Sequence, residues 1–167
     1  KYEAGDSYAV FGANSFTSSV THHGTSGNDS LTGTSSANIM VGGRGNDTLV
    51  GNGGADVLRG GQGDDILAVS DPNFRRVVGG NGFDTLRIDG FSVTNLNLTA
   101  ISDTRIQGIE QLDLTGSWGN LVPDPREVLN ISDESNTLLV LRDDSVAIPD
   151  LVYWTSAGRE TIGGRIF

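Results

Sequence analysis

The sequence has no cysteine, only four prolines and no long apolar run. The absence of cysteine excludes a disulfide framework and any thiolate metal site. No apolar stretch approaches the roughly 18 residues of a membrane-spanning helix, so membrane insertion is not expected. Basic residues are also scarce, at 11 Lys and Arg against 21 Asp and Glu, which gives a formal net charge of −10. This balance disfavours nucleic acid and anionic membranes as partners and favours cations.

The sequence begins without methionine and without the basic-then-apolar pattern of a signal peptide. We therefore expect it to be a piece of a longer protein. Glycine divides it into three zones, since 16 of the 24 glycines lie between Gly24 and Gly90. The expected organisation is an N-terminal strand or linker over residues 1–23, a glycine-rich zone over 24–90, and a β-rich flanking or capping segment over 91–167.

The glycine-rich zone is an internal repeat of nine residues. From Gly24 it reads GTSGNDSLT, GTSSANIMV, GGRGNDTLV, GNGGADVLR and GGQGDDILA without a gap, and GGNGFDTLR follows after the ten residues VSDPNFRRVV. The first position is Gly, the sixth is Asp except at Asn38, and the eighth is Leu or Met. A strict period of this kind indicates a solenoid.

Each unit predicts a turn followed by a short strand. The last three residues alternate, as in Thr48-Leu49-Val50, and point the leucine inward, while the first six form a turn in which glycine supplies positive φ. Two units complete a flattened coil of 18 residues, so every second unit stacks on the same side. The sixth positions then form two columns, one of Asp29, Asp47 and Asp65 and the other of Asn38 and Asp56.

The leucines alone cannot stabilise such a structure. One large apolar side chain per nine residues does not offset the ordering of so much backbone, and stacked carboxylates repel each other. A hard divalent cation between stacked turns removes both problems. Carboxylate and carbonyl oxygens in a loose cage suit Ca²⁺, and suit Mg²⁺ or zinc poorly. The repeat therefore predicts a fold that depends on calcium, with binding and folding sharing one free energy.

The repeat resembles the nonapeptide G-G-x-G-x-D-x-(large apolar)-x of the RTX (repeats-in-toxin), or hemolysin-type, calcium-binding proteins. The units GGRGNDTLV, GGQGDDILA and GGNGFDTLR match it fully. The resemblance implies an all-β fold, a calcium-bound parallel β-roll (a β-solenoid) followed by a capping segment. It also implies three to four Ca²⁺ ions. Each ion takes the second, fourth and sixth positions of one turn and the first, third and sixth of the next turn on that side.

Carried over, these positions give four candidate sites, with backbone carbonyls as ligands except at the sixth positions. The first consists of Thr25, Gly27, Asp29, Gly42, Arg44 and Asp47. The second consists of Gly43, Gly45, Asp47, Gly60, Gln62 and Asp65. The site on the other side consists of Thr34, Ser36, Asn38, Gly51, Gly53 and Asp56, and should be weaker because Asn38 is neutral. If the ten-residue interruption replaces one half-coil, a fourth site consists of Gly61, Gly63, Asp65, Gly79, Asn81 and Asp84.

The resemblance also implies a function: a calcium-dependent folding module of a large secreted or cell-surface protein, adhesin-like and exported by a type I system. The N-terminal stretch AGDSYAVFG resembles the closing strand of an FG-GAP blade from integrin-type propellers. Two alternatives remain open. One is a calcium-dependent polysaccharide-binding module, with a glycan or host surface as partner through the parent protein. The other is an accessory module of a secreted hydrolase.

Catalysis is not expected of this chain. No Ser/His/Asp constellation, G-x-S-x-G motif or phosphate-binding glycine motif is present. The adjacent His22 and His23 predict a polar turn rather than a metal pair, and Asp64 occupies the variable fifth position of its repeat. Asp71-Pro72 predicts a turn rather than a self-cleavage site. A helix of about two turns is predicted over residues 122–130.

Overall fold

The computed structural model describes residues 20–90, 101–102, 104–117, 119–120, 131, 138–141, 146–147, 161–162 and 165–166. The helix predicted over residues 122–130 and the FG-GAP-like stretch lie outside the described residues. Fifteen strands lie in the described part: β1 (His22–His23), β2 (Ser30–Thr32), β3 (Ile39–Arg44), β4 (Thr48–Val50), β5 (Val57–Gln62), β6 (Ile66–Val69), β7 (Arg76–Asn81), β8 (Thr85–Ile88), β9 (Ile106–Gln107), β10 (Gln111–Asp113), β11 (Gly119–Asn120), β12 (Leu139–Leu141), β13 (Val146–Ala147), β14 (Thr161–Ile162) and β15 (Arg165–Ile166).

Two parallel sheets contain most of these strands. One has the order β1-β3-β5-β7-β9 and the other β12-β10-β8-β6-β4-β2. Successive strands up to β10 alternate between the two sheets, so the chain winds as a flattened coil. Leu31 pairs with Leu49 and Met40 pairs with Leu58, which is a step of 18 residues in both sheets. The predicted all-β parallel solenoid is confirmed. Separately, β11 pairs with β13 in parallel and β14 with β15 in antiparallel fashion.

The core lies between the two sheets and is built from the eighth position of each repeat. These side chains are at most 1% exposed in Met40, Leu49, Leu58, Leu67 and Leu86. Leu31 packs against the same cluster but is only partly buried, because β2 is the last strand of its sheet. The inward direction predicted for these side chains is confirmed.

The ten-residue interruption replaces one half-coil. The step lengthens to 19 residues there, since Leu58 pairs with Val77 and Leu67 with Leu86. Val77 occupies the core position of the missing leucine, and Phe74 is also buried, at 1% exposure. Asp71 begins the predicted turn, where its Oδ1 accepts a hydrogen bond from the Asn73 amide at 2.6 Å. The interruption therefore keeps the two sheets in register, and the repeat after it stacks on the correct side.

The same two sheets continue past residue 90. Strand β9 pairs with β7, and β10 pairs with both β8 and β12. Ile106 and Leu112 extend the apolar interior of the roll, and Ile109 is fully buried beside them. Strands β9, β10 and β12 thus continue the two sheets at the end of the coil.

Strand length differs from the prediction on one sheet. Strands β2 and β4 have the three residues expected, but β3, β5 and β7 have six and run into the first three positions of the following repeat. Glycine makes this extension feasible. Gly43, Gly61 and Gly80 have φ of 119°, 130° and 125°, and a Cβ on Gly61 would collide with the carbonyl oxygen of Gly43. The expectation of a six-residue turn in every unit is therefore wrong for these three units.

The histidine pair also differs from the prediction. His22 and His23 form β1 and pair with Met40 and Val41 of β3. These two residues add a short strand at the edge of the sheet, next to β3. The predicted polar turn is therefore an edge strand.

Candidate metal centre

The sixth-position side chains stack in the two predicted columns, at opposite edges of the roll. The Asp47 edge contains the turns 24–29, 42–47, 60–65 and 79–84, and the Asp56 edge contains the turns 33–38 and 51–56 and the interruption. At the Asp47 edge, each sixth-position amide donates to Oδ1 of the aspartate one coil later. The distance is 2.8 Å from Asp29 to Asp47, from Asp47 to Asp65 and from Asp65 to Asp84. At the Asp56 edge, Asn38 donates to Asp56 Oδ1 at 2.8 Å.

Three carboxylate oxygens of this ladder have no hydrogen-bond partner. They are Oδ2 of Asp47, Asp65 and Asp84, and all three are buried. The residues are 1%, 1% and 0% exposed. A buried anionic oxygen without a partner is costly, and a cation or a proton is what relieves that cost.

The pKa values follow the same pattern in the metal-free chain. Burial is the largest cause of the raised pKa of Asp65, about 6, and of Asp84, about 7, and neighbouring carboxylates contribute to both shifts. The amide hydrogen bonds that these side chains accept oppose the rise. Burial also raises the pKa of Asp47 and Asp56. The column therefore holds its negative charge at neutral pH only against desolvation and mutual repulsion.

Each free oxygen faces the carbonyl that begins the next turn. A Cβ built on Gly42 would collide with Asp47 Oδ2 and lie 2.7 Å from the carbonyl oxygen of Gly60. In the same way, a Cβ on Gly60 would collide with Asp65 Oδ2 and lie 2.7 Å from the carbonyl oxygen of Gly79. The first-position glycine is thus required because its side-chain space is filled by two oxygens. Each pair of oxygens consists of two ligands predicted for one ion.

The second and fourth carbonyls also face the next coil. A Cβ on Gly61 would collide with the carbonyl oxygen of Gly43, and a Cβ on Gly63 with that of Gly45. Within the described residues, no three His, Cys, Asp or Glu side chains converge as a metal cluster. The donor set is therefore two carboxylates and several carbonyls, all oxygen, which fits Ca²⁺. When bound, Ca²⁺ would supply the positive charge that the free aspartate oxygens lack.

The first turn at each edge satisfies its sixth side chain without a metal. Asp29 Oδ2 accepts from the amide of Thr25 at 2.6 Å and from its hydroxyl at 2.8 Å. The hydrogen bond from the amide is the main cause that lowers the pKa of Asp29. Asn38 Oδ1 accepts from the amide of Thr34 at 2.7 Å. Both turns have threonine where the regular unit has its second glycine. An ion at these positions must compete with threonine, which adds to the weakness expected of the Asn38 side.

The predicted ligands of all four sites lie on turns that stack directly on each other. Some of their carbonyls accept hydrogen bonds between the turns: Arg44 donates to Thr25 at 3.4 Å, and Gly63 donates to Asn81 at 2.9 Å. A carbonyl has a second lone pair, so these bonds leave room for a cation. The carbonyl of Ser36 lies 3.1 Å from a Cβ on Gly54, so the Asp56 edge has the same stacked arrangement. Ion binding at each ligand set stays a prediction.

A second ladder at the fifth position was missed by the sequence analysis. The donors are backbone amides. That of Asn46 donates to Asn28 Oδ1 at 2.8 Å, that of Asp64 to Asn46 Oδ1 at 3.0 Å, and that of Phe83 to Asp64 Oδ1 at 2.8 Å. These bonds run from the later turn to the earlier one, opposite to the aspartate ladder. The signal was present, because the fifth position is Asn or Asp in three turns of the Asp47 edge and Ala at the other edge. Asp64 is therefore a ladder residue rather than a variable one.

The interruption at the Asp56 edge has contacts of its own. Asp71 Oδ2 accepts from the Gly54 amide at 2.9 Å, where a regular turn would stack. The Arg105 guanidinium lies 4.6 Å from the ring centre of Phe74 and donates to the carbonyls of Phe74 and of Pro72, the latter at 3.0 Å. Arginine thus binds carbonyls of the turn that lacks a sixth aspartate.

Comparison with known proteins relates part of the glycine-rich zone to a family of repeats. The family model of the RTX calcium-binding nonapeptide repeat matches in four copies, over residues 23–57 and 32–67. No curated protein and no solved structure matches the chain. Among the described residues, no helix has the length and apolar character needed to cross a membrane.

Proposed function

Since this chain carries RTX calcium-binding nonapeptide repeats, we propose that it is a calcium-dependent folding module of a large secreted or cell-surface protein. We further propose an adhesin-like parent exported by a type I system and placed outside the cell. No catalytic role is included. The observation that supports calcium-dependent folding is the set of three buried Oδ2 atoms without hydrogen-bond partners in Asp47, Asp65 and Asp84.

These oxygens make the folded state conditional on a cation. Stacking the turns buries Asp65 and Asp84 beside like charges, which opposes folding at neutral pH. Calcium binding only to the stacked turns stabilises them in proportion to the logarithm of its concentration. The chain would therefore stay unfolded and exportable where calcium is scarce. It would fold where calcium is in the millimolar range that weak extracellular sites require.

Hydrogen bonds between the turns couple the stacking of successive coils. Each coil donates its sixth amide forward to the next aspartate and receives a fifth-position bond in return. A turn therefore completes its bonds only when the next coil is in place, which favours cooperative growth from one coil to the next. The C-terminal strands β9, β10 and β12 then cover the end of the growing roll.

Calcium titration tests this proposal. Far-UV circular dichroism of the chain, stripped of metal and titrated with Ca²⁺, should show a cooperative gain of β structure. Isothermal calorimetry should report three to four ions over the same range. Mg²⁺ at equal concentration should produce little folding, because it requires a tighter octahedral site. A chain that has the same spectrum with and without calcium at neutral pH would overturn the proposal.

A further inference from the structure

The carboxylate column at the Asp47 edge continues beyond the last nonapeptide. The Asp84 amide donates to Glu110 Oε2 at 2.8 Å, just as the Asp65 amide donates to Asp84 Oδ1. Glu110 is 4% exposed. It follows Asp84 by 26 residues, so it lies outside the nine-residue period. Gln111 pairs with Thr85, and this register puts Glu110 level with Asp84, at the sixth position.

The turn that ends at Glu110 is half as long as a regular one. Gln107 pairs with Val78 and Gln111 pairs with Thr85, so the three residues 108–110 stand opposite the six residues 79–84. A glutamate side chain is one methylene longer than an aspartate side chain. The extra length brings its carboxylate to the Asp84 amide despite the shorter backbone path.

A buried oxygen of Asp84 faces this short turn. Its Oδ2 is buried and has no hydrogen-bond partner, and the residue is 0% exposed. A Cβ on Gly79 would collide both with Asp84 Oδ2 and with the carbonyl oxygen of Gly108. These two oxygens therefore face the same small space, as the corresponding pairs do in the two preceding gaps between turns. Here, however, the second oxygen comes from a residue that is not part of any nonapeptide.

From this geometry we propose a further calcium site between the turn 79–84 and residues 108–110, with Asp84, Gly108 and Glu110 among its ligands. The site rests on the proposed function, since it uses the same ion and the same kind of gap. The shorter turn has fewer carbonyls to offer, so this ion binds more weakly than those between regular turns. Its consequence is structural: calcium at this position stabilises the packing of β9 and β10 on the rest of the roll. Strand β9 depends on such stabilisation because it pairs with β7 through only two residues.

The test uses Glu110→Gln in the full chain, titrated with Ca²⁺ by calorimetry. Glutamine keeps an oxygen that accepts from the Asp84 amide but removes the negative charge. We expect one ion to be lost or weakened about tenfold or more, and the others to change by less than about threefold. Hydrogen exchange should show that residues 106–114 lose calcium-dependent protection while residues 39–67 keep it. The matched control is Asp113→Asn in β10, because the Asp113 carboxylate accepts from Thr115 and lies outside the column.

Each outcome has a defined meaning. If the unmodified chain binds no calcium, the proposed function fails and this site fails with it. If the unmodified chain binds calcium and Glu110→Gln has the same stoichiometry and affinities, only this site is overturned. An equal loss in Asp113→Asn would also overturn it, since net charge would then be the cause. If Glu110→Gln does not fold at saturating calcium, Glu110→Asp replaces it: one weakened ion supports the site, and unchanged affinities overturn it.

Discussion

The amide of Asp47 donates to Oδ1 of Asp65, 18 residues later, at 2.8 Å, while Oδ2 of Asp47 remains buried and without a hydrogen-bond partner. One aspartate therefore connects three turns. Its Oδ1 accepts from the Asp29 amide of the turn below, and its Oδ2 faces the carbonyl of Gly60 in the turn above. The two oxygens have different tasks, since Oδ1 accepts a hydrogen bond from the protein and Oδ2 accepts none.

This division predicts that Asp47→Asn weakens calcium-dependent folding more than Asp29→Asn does. The Asp47 variant loses the charge of a buried oxygen that has no protein donor. The Asp29 variant loses the charge of an oxygen that already accepts two bonds from Thr25. We expect the calcium concentration at the folding midpoint to rise about tenfold for Asp47→Asn and about threefold or less for Asp29→Asn. Circular dichroism titration measures both midpoints.

The control for this comparison is Asp64→Asn, which removes an exposed charge next to Asp65 and keeps an oxygen for the ladder bond from Phe83. Its midpoint should stay close to that of the unmodified chain. Equal midpoints for the Asp47 and Asp29 variants would contradict the separate tasks of the two oxygens.

The nine-residue period predicted the parts of the structure that depend on spacing. Leu49 points inward and Asp47 stacks on Asp65 because a coil of 18 residues brings equal positions together. Glu110 could not be found in this way, because a three-residue turn breaks the period and only the strand register reveals its alignment with Asp84. The role of Asn46 was missed for another reason. The fifth position is Asn or Asp in three turns of the Asp47 edge, but the family pattern leaves that position free and gives no reason to expect the bond from Asp64 to Asn46.

The two edges predict two classes of calcium affinity. Asn38 replaces a carboxylate in the column of the Asp56 edge, and its Oδ1 is already bonded to the Thr34 amide. The ion at that edge should therefore bind more weakly, and folding should follow the ions of the Asp47 edge. Asn38→Asp should move the weak class toward the tight class and leave the tight class nearly unchanged. Calorimetric titration of both chains measures the two classes.

Thr25→Gly serves as the matched change at the other edge. It removes the donor hydroxyl beside Asp29 and restores the regular glycine. It should therefore strengthen calcium binding between the turns 24–29 and 42–47 without affecting the weaker ion on the Asn38 side. A single affinity class in both the original chain and Asn38→Asp would show that the turns have been paired wrongly.

The buried aspartates predict that, without calcium, the folded state of the chain is more stable at acidic pH than at neutral pH. The pKa is raised from its ordinary value of 3.8 to about 6 in Asp65 and about 7 in Asp84. A carboxyl group whose pKa is raised by folding binds more protons in the folded state, so its favourable contribution is complete below about pH 4 and is lost as the pH rises through about 7. The metal-free chain should thus gain folded population between pH 7.5 and about 4.5. Circular dichroism of protein stripped on a chelating resin measures this gain.

Calcium should reverse this trend, because protons and the ion compete for the same oxygens. In calcium titrations carried out at successively lower pH, the calcium midpoint should therefore rise. Asp84→Asn removes the group with the higher pKa, and should flatten the metal-free profile near neutral pH. A metal-free chain that loses folded population on acidification from pH 7.5 would contradict the burial of these carboxylates.

The fifth-position ladder predicts that Asn46 stabilises the folded roll independently of the ion. Its Oδ1 accepts from the Asp64 amide, and its own amide donates to Asn28 Oδ1. Asn46→Ala removes the side-chain oxygen that accepts from the Asp64 backbone amide, and it leaves that amide without its protein partner. Because this region is exposed, water replaces part of the lost bond, and the free energy of unfolding at saturating calcium should fall by about 0.5–1.5 kcal/mol. Asn46→Asp keeps the acceptor and should stay within about 0.5 kcal/mol of the unmodified chain.

Ala55→Asn places an amide at the equivalent position of the other edge, where the interruption stands in place of a regular next turn, and should add no comparable stability. Urea unfolding at saturating calcium compares the three variants. Equal losses for Asn46→Ala and Asn46→Asp would show that the Asn46 oxygen does not hold the turns together.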